Sequence, residues 1–206
     1  MAGDCKRNYQ KELDKRIEQI VKEESRPKLL LHACCAPCSS YCLEYLSQYF
    51  DITILFYNPN ISPEEEYNYR VNELKGLIAR MPGVSDVDVI VEKYDYNEFL
   101  NRIKGLEGEP ERGGRCTLCY RLRLEKAAEY AKNNGFDYFT TTLSISPYKD
   151  ADRLVAIGEE LGELLKIPYL VSDFKKKNGY KRSIELSEEY GLYRQNYCGC
   201  EFSKRG

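Results

Sequence analysis

Leu13, Ile17, Ile20 and Val21 recur at helical spacing through an otherwise charged stretch. That period predicts an amphipathic helix over residues 8–24. Pro27 ends it, and Lys28-Leu29-Leu30-Leu31-His32 reads as a short buried strand. Pro37 suits the first turn of a second helix running toward Tyr49. Ile52-Thr53-Ile54-Leu55-Phe56-Tyr57 is a second apolar strand, broken by Asn58-Pro59-Asn60 and Ser62-Pro63. Val71, Leu74 and Ile78 lie on one face of a helix expected over residues 64–80. Residues 87–91 read as a third strand. Helices are expected at 95–104 and 117–134, separated by a glycine-rich loop at 105–114. A fourth strand at 138–142, a helix at 149–164 and a fifth strand at Tyr169-Leu170-Val171 complete the pattern.

Strands alternating with helices imply right-handed crossovers and a parallel sheet. The expected fold is α/β and Rossmann-like, with flanking helices. The 206 residues are expected to form a single domain. It divides into an N-terminal helix (1–26), an α/β core (27–172) and a basic, cysteine-containing elaboration (173–206). In such sheets ligands bind beyond the carboxyl ends of the strands. Cys34 to Cys38 follow strand one directly, and Ser144-Ile145-Ser146-Pro147 follow strand four.

Cysteine usage changes the picture most. Seven of the nine cysteines fall into three groups: Cys34, Cys35 and Cys38; Cys116 and Cys119; Cys198 and Cys200. The chain opens without the apolar stretch of a secretion signal, and its longest apolar run, near residues 29–36, is too short to span a bilayer. A cytoplasmic location is expected, without membrane attachment. Thiols stay reduced there, so clustered cysteines point to metal or redox chemistry.

Four thiolates from Cys34, Cys35, Cys116 and Cys119 match either a structural zinc or an iron–sulfur cluster. Adjacent cysteines at a strand end, set against a distant Cys-x-x-Cys, resemble a zinc knuckle pair less than they resemble cluster ligands. Cys38 is able to replace Cys34 or to hold a second metal. Cys42, one turn after Cys38, is expected to be packed, and Cys5 to be incidental. His32, the single histidine, is expected to be a hydrogen-bonded structural residue. Cys198-Gly199-Cys200 permits a small, strained disulfide ring that is readily reduced. A dithiol beside a one-electron cluster is the equipment of a two-electron reductase.

Net charge is only −2, which by itself does not mark a nucleic-acid binder. Charge is uneven, however. From Phe174 onward eight basic residues, Lys204 and Arg205 among them, face four acidic ones, and Arg112, Arg115, Arg121 and Arg123 surround Cys116 and Cys119. Positive charge at the cysteines suggests a polyanionic substrate. The chain has 18 tyrosines and no tryptophan, and several tyrosines adjoin basic residues. That combination suits an unstacked base.

The motifs also match as an ordered set. Leu31-His32-Ala33-Cys34-Cys35-Ala36-Pro37-Cys38 resembles the first block of the QueH family, the cobalamin-independent epoxyqueuosine reductases. Phe56-Tyr57-Asn58-Pro59-Asn60-Ile61 with Glu66-Tyr67, and Arg115-Cys116-Thr117-Leu118-Cys119-Tyr120, are similar to the second and third. Thr140-Thr141-Thr142-Leu143-Ser144-Ile145-Ser146-Pro147-Tyr148-Lys149 resembles the fourth. Asp173 to Tyr180 and Tyr193 to Ser203 resemble the last two.

The resemblance implies a Rossmann-like fold of the HUP/PP-loop type. It implies removal of the epoxide oxygen from epoxyqueuosine at the wobble position of tRNA, giving queuosine and water. Implied cofactors are a 4Fe–4S cluster on Cys34, Cys35, Cys116 and Cys119, and one additional iron, for which Cys38 and Asp173 are the candidate ligands. Cys198 and Cys200 correspond to the redox-active pair, reopened by an external electron donor. Arg115, Lys175, Lys176, Tyr180, Tyr193 and Arg194 are the candidates for gripping the tRNA anticodon loop. Two other readings compete. A cluster-dependent tRNA thiolation enzyme needs a glycine-containing phosphate loop after strand one, where this chain has Cys34-Cys35-Ala36-Pro37-Cys38-Ser39. A zinc-stabilised RNA-binding adaptor has no need of Cys198 and Cys200.

Overall fold

The computed structural model describes residues 7–203, so Cys5, Lys204 and Arg205 lie outside the described residues. Helix α1 (Tyr9–Lys22) leads into β1 (Lys28–His32), α2 (Ala36–Leu46) and β2 (Asp51–Phe56). Then come α3 (Glu64–Arg80), β3 (Asp88–Val91), α4 (Tyr96–Ile103) and α5 (Gly114–Asn133). The chain ends through β4 (Tyr138–Thr141), α6 (Ala151–Leu165) and α7 (Gly179–Glu189).

The four strands are parallel in the order β3-β2-β1-β4. Successive strands step one way from β1 to β3, and β4 returns to the other side of β1. The direction of winding therefore switches between β1 and β4, which opens a crevice at their carboxyl ends. Both cysteine-bearing and threonine-rich loops leave the sheet there.

Alternation along each strand builds two cores. Leu29, Leu31, Ile52, Ile54 and Phe56 pack with α1, α2 and α3 on one face. Leu30, Leu55 and Phe139 pack with α4, α5 and α6 on the other. This is why β1 has no polar position between Leu29 and Leu31: each of these leucines is fully buried on one face or the other.

Local signals set the helix ends. Asn8, Asp95 and Asp150 accept backbone N–H bonds at the starts of α1, α4 and α6. Pro37 lies in the first turn of α2, as its fixed φ favours. α5 starts at Gly114, three residues before the expected start, so Cys116 and Cys119 both lie in its opening turns.

The expected fifth strand is reduced to one bridge, Phe139 to Tyr169. Pro168 precedes it and has no N–H to extend a ladder. Beyond Leu170 N–H to Phe139 O (2.9 Å), side chains take over, with the Thr140 hydroxyl donating to Leu170 O at 2.9 Å. After Asp173 the chain forms α7 against α2, then a non-helical arm that carries Cys198 and Cys200 back to the crevice.

Candidate active site

Cys34 follows the end of β1, and Cys35 is the cap residue of α2, one turn before Ser39, whose N–H bonds to Cys35 O at 3.1 Å. Cys38 is in the first turn of the same helix. The three Sγ atoms lie within 4.8 Å of one another, and those of Cys34 and Cys35 are 3.8 Å apart. The Thr142 hydroxyl, from the turn after β4, is 3.7 Å from Cys34 Sγ. The switch point thus brings the first and fourth motifs together.

The three thiols do not behave alike. Cys35 and Cys38 direct their S–H groups at Cys34, which holds Cys34 well below the usual thiol range. The same sharing pushes Cys35 up to about 12 and raises Cys38. The positive end of α2 favours that thiolate too. Three soft donors so close together are a set that can hold a metal cluster. Cys42, by contrast, is fully buried and raised by burial, a packed residue as expected.

Cys116 and Cys119 stand outside this 4.8 Å group. They open α5, and the Arg112 N–H donates to Cys116 Sγ at 3.3 Å. Cys34, Cys116, Cys119, Cys198 and Cys200 nevertheless all pack into the core under β1 and β4. Five of the seven grouped cysteines therefore share one side of the sheet.

A cavity of about 480 Å³ opens above the triad. Cys34, Cys35, Cys38 and Cys198 line it, together with three cations that are almost wholly buried. Arg70 is 1%, Arg123 3% and Lys149 9% exposed. Arg123 donates from Nε to Cys119 O at 3.0 Å. Lys149 Nζ is 4.0 Å from Glu111 Oε1. Burial works against its charge, but Cys198 and Tyr120 outweigh that and hold it raised. Buried cations are costly unless negative charge faces them, and thiolates supply it here. Sequence reasoning counted Arg123 in the basic cluster around Cys116 and Cys119 and gave Arg70 and Lys149 no role. Arg70 had a visible signal in its (i, i+4) spacing from Glu66, and Lys149 closes the fourth motif.

Cys198 and Cys200 are asymmetric. Cys198 faces the cavity, while Cys200 is 5% exposed. A bond from Cys200 lowers Cys198 well below the usual thiol range, with Lys149 adding to the effect, and Cys200 is raised in return. Ser203 closes the turn: its hydroxyl donates to Cys200 O at 2.8 Å and lies 3.0 Å from Cys198 Sγ.

His32 lies beneath Cys34. Its Nε2–H faces Tyr57 O at 3.0 Å, so Nδ1 accepts from the Thr141 hydroxyl at 2.9 Å. Burial first, then the charge of Arg123, pushes it down to about 4. It is a neutral structural residue, as the sequence suggested.

The basic residues near the cysteines are more fully engaged by protein partners than their spacing suggests. Arg115 is 2% exposed, and its guanidinium donates to Glu107 O at 2.6 Å and Glu109 O at 2.5 Å. Arg112 bonds Tyr148 O at 3.1 Å, and Arg121 pairs with Glu160. Lys175 Nζ donates to Ser144 O at 2.8 Å and pairs with Asp173 at 3.1 Å. Asp173 itself is buried and is not part of the three-thiol group. Tyr180 and Arg194 line the cavity, with the Arg194 guanidinium 5.6 Å from the Tyr180 ring. Lys176 is exposed, as is Tyr193, whose ring meets Tyr69 edge-on.

Comparison with known proteins identifies the family. Residues 29–206 fit the family model described as Epoxyqueuosine reductase QueH. A protein of that name from Streptococcus pyogenes serotype M1 is 43% identical over 207 residues, covering 100% of this chain and 81% of the relative. The one from Staphylococcus epidermidis is 44% identical over 200 residues, covering 95% and 84%. The one from Haemophilus influenzae is 42% identical over 190 residues, covering 91% and 76%. The chain belongs to the QueH family.

Proposed function

We propose that this protein is an epoxyqueuosine reductase acting on tRNA, working in the cytoplasm. The observation that carries the reading is the cavity itself: three thiols at the sheet's switch point, faced by Cys198 and walled by buried cations. Among the described residues no helix is long and apolar enough to cross a membrane. The thiolation and adaptor readings are not favoured, because the relatives are named as reductases.

Cys34 and Cys35 at the sheet, with Cys116 and Cys119 from the opening turns of α5, are the proposed ligands of a 4Fe–4S cluster. Cys38 is the proposed thiol for an additional iron, with Asp173 as an oxygen donor. When bound, such a centre supplies one-electron transfer and a Lewis acid for the departing oxygen. The buried thiol donor set and the surrounding positive charge fit a group that carries negative charge.

The protein's own residues do the rest. The anticodon base must leave its stack to enter a cavity this deep, and Tyr180 and Arg194 offer it a ring face and a charge. Arg123 and Lys149 keep the cavity positive where oxyanion charge develops. Cys198 and Cys200 go from dithiol to disulfide, releasing two electrons and two protons. The epoxide takes up both pairs, its carbon–oxygen bonds break, a carbon–carbon double bond forms and the oxygen leaves as water. An external reductant then reopens the disulfide.

Cys198→Ser is the test. Iron content should stay at the parent level, and multiple turnover on epoxyqueuosine tRNA should be lost. Unchanged turnover with the same reductant removes the dithiol from the mechanism.

A further inference from the structure

An arginine withdrawn from water needs an opposite charge and occupied donors. Arg70 on α3 is 1% exposed. Glu66, one turn earlier, accepts from Nε at 2.7 Å. Nη1 donates to Cys198 O at 3.4 Å. The guanidinium carbon is 5.4 Å from the centre of the Tyr197 ring. Nη2 is buried and has no hydrogen-bond partner. The same side chain lines the cavity shared by Cys34, Cys35, Cys38 and Cys198. One residue therefore reaches both cysteine groups.

The turn that carries the pair has a matching underside. Gly199 has φ +95°, and a Cβ there would lie 2.8 Å from Ile61 Cγ1 and 3.1 Å from Arg70 Nη1. Only glycine combines that conformation with so close an approach. The Ser62 N–H donates to Gly199 O at 3.0 Å, and Asn60 Nδ2 to Cys198 O at 3.5 Å. The Cys-Gly-Cys turn thus rests on the guanidinium and on the segment after β2.

We infer that Arg70 is the positioning residue of the Cys198–Cys200 pair, its guanidinium forming the seat that holds the turn at the mouth of the three-cysteine cavity. This rests on the reading of Cys198 and Cys200 as the redox pair. Arg70 acts through the turn, not on substrate. A lysine keeps the charge but lacks the planar fork that serves Glu66 and Cys198 together.

The test reads the pair without turnover. Full-length wild type, Arg70→Met, Arg70→Lys and Gly199→Ala are equilibrated anaerobically with graded mixtures of reduced and oxidised dithiothreitol. Free thiols are then alkylated, and the Cys198–Cys200 disulfide is measured by peptide mass spectrometry. Arg70→Met should move the equilibrium toward the disulfide by about tenfold, since the released turn closes on itself and loses a neighbouring cation that favours thiolates. Arg70→Lys should restore part of the shift. Gly199→Ala pushes the turn off the same seat with a methyl against Ile61 and Arg70, and should shift the same way, which keeps the test available if Arg70→Met does not fold. An unchanged equilibrium in whichever of Arg70→Met and Gly199→Ala folds overturns the inference. Turnover by Cys198→Ser judges the redox reading separately.

Discussion

The two cysteine groups that face the cavity are built in opposite ways. Cys34, Cys35 and Cys38 stand on the end of a central strand and the first turn of a helix, over fully buried Leu30 and Leu31. Cys198 and Cys200 stand on a non-helical arm, held by Arg70, Asn60, Ser62 and Ser203. The difference suits the roles proposed for each. Metal ligands need a fixed geometry, which rigid elements supply. A dithiol that passes electrons onward and is then reduced from outside needs a position that bonds can hold and release.

Breaking the first group should have the largest effect. Cys35→Ala removes a buried thiol from the triad, and iron binding should fall to background by metal analysis. Because Cys35 is held by backbone and helix, the folded structure should persist in circular dichroism. Cys198→Ser should show the reverse, with full iron and no multiple turnover. If both variants lose iron, the division between the two groups is wrong.

A smaller change sharpens the comparison inside the arm. Ser203→Ala removes a hydroxyl that bonds Cys200 O and faces Cys198 Sγ. It should cost about 1 kcal/mol of stability. It should also slow the alkylation of Cys198, whose thiolate loses a hydrogen bond that favours it, with Cys38 unchanged as the internal control.

The smallest effect concerns the root of the arm, where Glu73 Oε1 accepts from the Tyr193 N–H at 2.6 Å. Burial raises Glu73 above its ordinary carboxylate value, and its Oε2 has no partner. A raised carboxyl means the folded chain keeps a proton that the unfolded chain has released. Stability from this group therefore falls as pH rises through that window and stays lower above it. Glu73→Gln keeps the acceptor and removes the charge. It should unfold at higher urea than the parent at pH 7, with the difference fading under acid conditions. A difference that grows on acidification contradicts the assignment.

The rigid group is also the part that was legible in the sequence. Apolar runs and Pro37 placed β1 and α2, and adjacency alone put Cys34 and Cys35 just past the carboxyl end of β1. The strand order β3-β2-β1-β4, and with it the meeting of Cys34 with Thr142, depends on pairing between distant segments that no local pattern encodes. The arm was legible as chemistry but not as structure: Cys198-Gly199-Cys200 announces a dithiol, yet its seat on Arg70 comes from a helix 128 residues away. Basic residues were the least legible. Arg112, Arg115 and Arg121 look like a surface for a polyanion until their carbonyl and carboxylate partners are seen. Composition counts charges and does not say which way they face.

The most direct test of the central claim is metal analysis of the anaerobically purified protein with its visible spectrum. The account predicts a brown protein with about four irons and four sulfides per chain, as one such cluster requires, and further iron beyond four. A colourless protein that carries only zinc, even after attempted cluster reconstitution, would contradict it.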